Sequence, residues 1–97
     1  MVQQRILIGF VGGGIRLTGT WVALTRTGTV VRCSEDLEPG TTGRLGITYG
    51  HEIVRVGAVV RRRIARLGLH FKFVKMTSVD RDKLRQLLHQ LARSPSA

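Results

Sequence analysis

Apolar and polar residues alternate over much of the chain before residue 75, which is the pattern of half-buried β-strands. The alternation is clearest over 67–74, where every second residue is large and apolar: Leu67, Leu69, Phe71 and Phe73. The longer segment 52–64 carries a similar series, consisting of Val54, Val56, Ala58 and Val60. A very short connection separates the two segments, so we expect them to pair as an antiparallel hairpin.

Shorter runs rich in β-branched residues precede this hairpin and are separated by glycines and polar turns. They predict further strands over 5–10, 17–24, 29–33 and 44–49. Segment 34–42 is polar and acidic, and Pro39-Gly40 predicts a turn within it. The long strand over 52–64 is expected to bend at Gly57, because a glycine inside a strand often marks such a site.

After residue 77 the pattern changes to a helical period. Thr77 can cap the helix, with Asp80 three residues later as a variant of the capping box. One apolar stripe follows the helical spacing and consists of Leu84, Leu87, Leu88 and Leu91. Pro95 limits the helix, and its apolar stripe requires the sheet as a packing surface.

These elements predict an all-β fold with one C-terminal helix, in which about six antiparallel strands form a split β-barrel. The length of 97 residues fits a single domain over 1–97. We expect the barrel to cover about 5–75 and the helix about 78–92.

The chain has a formal net charge of +10, and 13 of its 16 basic residues are arginine. Such an excess favours anionic partners, and arginine suits two-pronged contacts with phosphate. Arg61-Arg62-Arg63 is the densest cluster, and simple strand alternation places Arg61 and Arg63 on one face. The only cysteine, Cys33, is expected to be a buried strand residue. No apolar run reaches membrane-spanning length, and a cytoplasmic location is expected.

Candidates for catalysis or for a cofactor are weak. The three histidines, His51, His70 and His89, lie on separate elements without the spacing of metal ligands, so no metal site is predicted. The run Gly12-Gly13-Gly14 precedes a strand rather than a helix and is better explained as a turn than as a phosphate loop. No nucleophile and base combine into a catalytic set, so we predict neither an enzyme nor a bound cofactor.

Five segments occur in a characteristic order: W-V-A-L-T-R-T-G over 21–28, L-E-P-G-T over 37–41, A-V-V-R over 58–61, L-G-L-H-F over 67–71, and the final helix. This order resembles the PilZ domain, a bacterial family best known for binding cyclic di-GMP, over roughly residues 17–91. The resemblance implies a non-enzymatic module in cyclic di-GMP signalling, motility or surface behaviour.

The resemblance also implies a ligand site, from which this chain departs. In the family, arginines of an R-x-x-x-R segment hold phosphates and stack on guanine, and a D/N-x-S-x-x-G segment contacts base, phosphate and backbone. Here the second segment is Ala23-x-Thr25-x-x-Gly28, and Ala23 cannot hydrogen-bond to a base edge. The first segment is missing. The residues expected to form what remains of the site are Arg5, Arg16, Ala23, Thr25, Arg26, Gly28 and Arg61.

Several functional hypotheses therefore remain open at the level of sequence. The first is a PilZ-type module that binds cyclic di-GMP weakly or not at all and acts through a protein partner. The second is a basic barrel that binds nucleic acid or another phosphate ligand. A receptor that binds cyclic di-GMP through substitute arginines, and a subunit that self-associates through a sheet edge or the helix, complete the set.

Overall fold

The computed structural model describes residues 6–93 and contains six strands followed by one helix. The strands are β1 (Ile6–Gly12), β2 (Ile15–Leu24), β3 (Gly28–Arg32), β4 (Thr42–Tyr49), β5 (Glu52–Ile64) and β6 (Gly68–Lys75), and the helix α1 spans Ser78–Arg93. The predicted fold class is confirmed. Each predicted strand is present, with ends that lie within two residues of those expected.

The six strands close into a barrel in the order β1-β2-β3-β6-β5-β4, and every neighbouring pair is antiparallel. The ring closes between β1 and β4, whose register runs from Ile6 opposite Tyr49 to Gly12 opposite Gly43. Closure removes the free edges that an open sheet would present. Self-association through a sheet edge, one of the hypotheses left open by the sequence, would be confined to the stretches 15–19 of β2 and 52–56 of β5, which lack a second neighbouring strand.

The barrel interior is filled by the alternating apolar residues of all six strands. Phe10 and Phe71, from opposite sides of the barrel, meet with ring centroids 4.8 Å apart at an interplanar angle of 44°. Leu84 and Leu87 of α1 are also buried, so the leucine stripe packs against the barrel as predicted. The buried apolar residues are Ile6, Ile8, Phe10, Leu17, Val31, Leu37, Leu45, Ile47, Tyr49, Val54, Val56, Ala58, Val60, Leu69, Phe71, Leu84 and Leu87.

A β-bulge in β5 changes the direction of its arginine cluster. Val60 lies opposite Phe71, but Arg62 lies opposite His70, so Arg61 is an extra residue in the ladder. Arg62 then shares the outer face with His70, whereas Arg63 lies opposite the buried Leu69. The prediction that Arg61 and Arg63 share one face was wrong, because strand alternation holds only where the register is continuous.

The connection between β5 and β6 is longer than expected. Leu67 belongs to the turn, where its backbone N–H donates to the carbonyl of Ile64, and its side chain is 41% exposed. β6 begins at Gly68, which has φ 141° and lies so close to the Val31 carbonyl that a Cβ atom would clash with it. This position therefore needs glycine for two reasons, its backbone angle and its neighbour.

Cys33 also departs from the prediction. It lies directly after β3 and is half-buried rather than a buried strand residue. Partial burial raises the pKa of its thiol, while the nearby Arg63 opposes that rise. The guanidinium of Arg63 itself donates to Asp36 at 3.1 Å and to the carbonyl of Glu35, which ties the acidic loop to the end of β5.

The start of α1 is capped and anchored to the barrel. The Thr77 hydroxyl accepts from the backbone N–H of Asp80 at 3.1 Å and donates to the Asp80 carboxylate at 2.7 Å. The other oxygen of Asp80 accepts from the backbone N–H of Arg55 in β5 at 3.0 Å. The predicted capping pair is confirmed, and its carboxylate contacts both the hydroxyl of the cap residue and the backbone of the barrel. Within residues 6–93, no helix has both the length and the apolar character needed to cross a membrane.

Replacing Asp80 with asparagine should lower the free energy of unfolding near neutral pH. The hydrogen bond from the Arg55 backbone N–H, followed by that from Thr77, lowers the pKa of the Asp80 carboxyl. A carboxylate with a lowered folded-state pKa stabilises the protein above its unfolded-state pKa, and this contribution is lost as pH falls through the folded-state pKa. Urea unfolding should therefore show a gap between wild type and Asp80→Asn that narrows at acid pH.

The matched control is Asp82→Asn, because the Asp82 carboxylate lies on the exposed side of α1, 4.0 Å from Arg85. An exposed pair of this kind contributes about 0–1 kcal/mol, so this variant should change stability little. A gap for Asp80→Asn that stays constant from neutral to acid pH would contradict the proposed role of its charge.

Candidate functional site

The turn between β2 and β3 contains the residues that sequence analysis singled out. The Thr25 hydroxyl accepts from the backbone N–H groups of Thr27 and Gly28, both at 3.2 Å. The backbone N–H of Thr25 donates to the Gly28 carbonyl at 2.9 Å. The polar groups of the turn are thus used to close the turn itself, as threonine side chains often do.

Gly28 is buried between this turn and β6. A Cβ atom built at this position would overlap the carbonyl oxygen of Phe71 and would lie 3.4 Å from Nε2 of His70. The close approach of β6 therefore requires glycine here, whether or not a ligand is bound. The imidazole of His70 lies beside Gly28.

Ala23 lies two residues before the turn, and its side chain is exposed. Its carbonyl oxygen accepts from the Thr29 hydroxyl at 2.7 Å, which helps to hold β2 and β3 together. The methyl side chain offers no hydrogen-bonding atom to a ligand. Its position is accessible, but its chemistry is apolar.

The other predicted site residues do not gather at this turn. Arg16 lies near the opposite end of β2, and at about 3.3 Å per residue its Cα is about 23 Å along the strand from Ala23. Arg61 lies beyond β6, on β5, because Thr29 pairs with Phe71 and Phe71 pairs with Val60. Arg5 lies outside the described residues. Of the seven predicted positions, four remain close together: Ala23, Thr25, Arg26 and Gly28.

Arg26 instead belongs to a cleft between the β2–β3 turn, the end of β6 and the first turns of α1. We call this the basic cleft, and it encloses about 390 Å³. Its cationic side chains are Arg26, Lys75, Arg81 and Arg85, and all four residues are exposed. Phe73, Met76 and Leu84 supply apolar surface beneath them. The backbone N–H of Phe73 donates to the Thr27 carbonyl at 2.8 Å and so fixes the turn beside β6.

Arg61 lines a separate cavity of about 590 Å³ on the outer face of β5 and β6. Arg62 and His70 also line it, together with Pro39 and Gly40 of the acidic loop. The bulge at Arg61 explains why two consecutive arginines reach the same outer cavity. We call it the Arg61 cavity. Its chemistry suits an anion, and it opens to solvent.

A comparison with protein-family models matches residues 2–90, nearly the whole chain, to the PilZ domain. The chain belongs to the PilZ domain family. No curated protein and no solved structure matches the chain. PilZ domains are binding modules of cyclic di-GMP signalling rather than enzymes, and the closed six-stranded barrel with its C-terminal helix is consistent with this family.

Two features of this PilZ domain were missed at the sequence level. The first is the basic cleft: Arg81 and Arg85 have the i, i+4 spacing of one helix face, but nothing local places that face opposite Arg26. The second is His70 beside Gly28, a neighbour supplied by another strand. Spacing could have indicated the basic face of α1. The proximity of Arg26 to that face and of His70 to Gly28 depends on how β6 lies against the β2–β3 turn.

Gly28→Ala should lower the free energy of unfolding by about 1–3 kcal/mol, the usual cost of forcing an extra carbon into a packed site. The added methyl group would displace the Phe71 carbonyl of β6. The matched control is Gly46→Ala, because a Cβ atom there meets nothing within 4 Å, and we expect a change within about 0.5 kcal/mol. Chemical unfolding measures both variants. Equal stability of Gly28→Ala and wild type would contradict the structural role of this glycine.

Proposed function

We propose that this PilZ domain acts in a bacterial cytoplasm by binding a protein partner, and that it binds cyclic di-GMP weakly or not at all. The observation that carries the proposal is the β2–β3 turn. Its threonine hydroxyl and backbone groups are hydrogen-bonded within the turn, its glycine is packed under β6, and Ala23 has no polar group. Regulation of motility or of surface behaviour is the process we expect it to serve.

The energetics of phosphate recognition support weak or absent binding of cyclic di-GMP. A hydrogen bond to a charged group contributes roughly 1.5–3 kcal/mol, and two-pronged arginine–phosphate contacts lie at the strong end. Losing two or three of them weakens binding by about 4 kcal/mol or more, which is roughly a thousandfold in affinity. Arg16, one of the arginines available as a replacement, lies about 23 Å along β2 from Ala23.

The architecture supports the binding of a protein partner. Each of the six strands has a neighbour on both sides over part of its length, so little of the ladder is left for a partner strand, and side-chain surfaces offer the larger area for a partner. The outside of the domain offers exposed arginines beside clefts with apolar surface. Arginine and desolvated apolar pockets are frequent at the energetic centres of protein interfaces.

Calorimetric titration of the full chain with cyclic di-GMP tests the ligand half of the proposal. We expect a Kd weaker than about 1 mM, because a thousandfold loss turns a micromolar site into a millimolar one. A low-micromolar Kd would overturn the proposal. If Arg61→Ala or Arg26→Ala then abolished such binding, the domain would be a cyclic di-GMP receptor with substitute arginines.

A second candidate function is binding of a nucleic acid or another phosphate ligand at the Arg61 cavity. The specific observation in its favour is the bulge, which places Arg61 and Arg62 together beside His70. Among residues 6–93, no carboxylate lies within 4.0 Å of either arginine. Against it, the five aromatic residues Phe10, Trp21, Tyr49, Phe71 and Phe73 are buried or half-buried, so no exposed ring can stack on bases.

The salt dependence of oligonucleotide binding tests this second candidate. Backbone recognition predicts that affinity for single-stranded DNA falls steeply between about 50 and about 200 mM salt. Arg61→Ala should reduce the slope of log affinity against log salt concentration by the amount expected for about one phosphate contact. Fluorescence anisotropy measures both quantities. Arg44→Ala, on an exposed position of β4, is the matched control. Absent binding or a flat salt profile would remove this candidate.

A further inference from the structure

The basic cleft has an unbalanced charge. Four of its lining side chains are cationic, and no acidic residue lines it. Within residues 6–93, Arg26, Lys75 and Arg81 have no carboxylate within 4.0 Å, and Arg85 has one at 4.0 Å, on the exposed Asp82. Like charges held around one cleft repel one another, so a ligand that carries carboxylates would relieve this repulsion.

Three of the chain's six acidic side chains are engaged elsewhere. Asp36 pairs with Arg63 at 3.1 Å, and Glu52 lies 3.8 Å from Lys83. Asp80 accepts from Thr77 and from the backbone of Arg55, on the side of α1 that faces β5. Among residues 6–93 no carboxylate lines the cleft, so another molecule is the source of complementary charge that we consider.

The cleft also has an apolar side. Phe73 and Met76 are only half-buried and pack at the edge of the core, while Leu84 beneath them is buried. Val74, which also lines the cleft, is 58% exposed. An apolar floor with a charged rim is the composition of an interface centre, where a large side chain is buried and charges surround it.

A single small phosphate ligand fits this site less well. The four cationic residues are exposed, and no buried side-chain nitrogen or oxygen among residues 6–93 lacks a partner that a ligand could satisfy. At the start of α1, a common site for anions, the backbone N–H of Asp80 is already used by the Thr77 cap. The cleft therefore offers attraction and an apolar surface rather than a rigid cradle of donors.

We propose that the basic cleft is the docking site for an acidic, amphipathic segment of a partner protein. Carboxylates of the segment would meet Arg26, Lys75 and Arg81, and a large apolar side chain would lie on Phe73 and Met76. The proposal rests on the proposed function, since it names the surface and the partner chemistry of the same protein-binding role. A segment of this kind binds through side chains in a groove, which the closed barrel permits.

A phage-displayed library of random peptides, selected on the immobilised full chain, is the probe. We expect enrichment of peptides that combine aspartate or glutamate with leucine or phenylalanine. The affinity of one enriched peptide is then measured by fluorescence anisotropy. Arg26→Glu and Arg81→Glu should each weaken it about tenfold or more, the loss expected when a contact at an interface centre is reversed in charge.

The matched control is Arg44→Glu, which changes the net charge equally on the outer face of β4 and should weaken binding less than about twofold, as expected for a charge outside the interface. Val74→Ser, at an exposed position, should weaken binding severalfold and tests the apolar floor without disturbing the core. Circular dichroism and thermal unfolding establish that each variant is folded, so that weaker binding is not a consequence of unfolding.

Three outcomes would overturn the proposal: no enriched peptides, enriched peptides without acidic residues, or equal weakening by Arg44→Glu and Arg81→Glu. Binding to phosphatidylglycerol vesicles is tested in parallel. If the domain binds the vesicles, Arg81→Glu abolishes that binding and no peptides are enriched, the cleft is assigned to a membrane surface instead. Cyclic di-GMP is titrated on the same samples. Low-micromolar binding of that nucleotide overturns the proposed function. If peptide selection fails and the nucleotide does not bind, only the assignment of the cleft as the docking site is rejected.

Discussion

The pairing of β1 with β4 is the constraint on which the rest of this structure depends. It converts a six-stranded sheet into a closed ring, gives every strand two neighbours, and so determines which side chains face inward. The interior is then narrow enough for Phe10 and Phe71 to meet across it. Around Phe10, Gly12 of β1 and Gly43 of β4 leave room for the ring, because side chains at either position would overlap it.

Closure also determines where binding can occur. A closed barrel leaves little of its hydrogen-bonded ladder for a partner, so recognition falls mainly to side chains on the outside. Irregular places in the barrel wall create the concave surfaces. The bulge at Arg61 opens one cavity, and the departure of the chain from β6 into α1 opens the basic cleft beside Arg26.

The family motif takes on a structural role in this chain. The resemblance implies that a nucleotide contacts the β2–β3 turn, whereas in this chain Thr25 closes the turn and Gly28 allows the close approach of β6. Ala23 stands where the resemblance implies a polar residue. The fold still requires Thr25 and Gly28, because these two residues close the turn and admit β6. Signalling through a neighbouring surface, lined by Arg26 on the same turn, would then leave the architecture unchanged.

Much of the fold followed from local patterns. Alternation defined β5 and its buried series from Val54 to Val60, and the Thr77–Asp80 pair located the start of α1. Both signals depend on neighbours within a few residues, where backbone geometry dictates which side chains share a face. The order of segments also indicated the family, because it reflects the same succession of strands, turns and helix.

The candidate binding surfaces could be predicted from the sequence only in part, because they depend on contacts between distant segments. Alternation placed Arg61 and Arg63 together, but a register shift against β6 separated them. Composition supplied many arginines, and only the packing of α1 beside the β2–β3 turn brought Arg26 and Arg81 to one cleft. The sequence by itself thus determined the strands, the helix and the net charge. Tertiary structure decided which charges stand together, because closure of the ring and not local periodicity sets the neighbours of each exposed side chain.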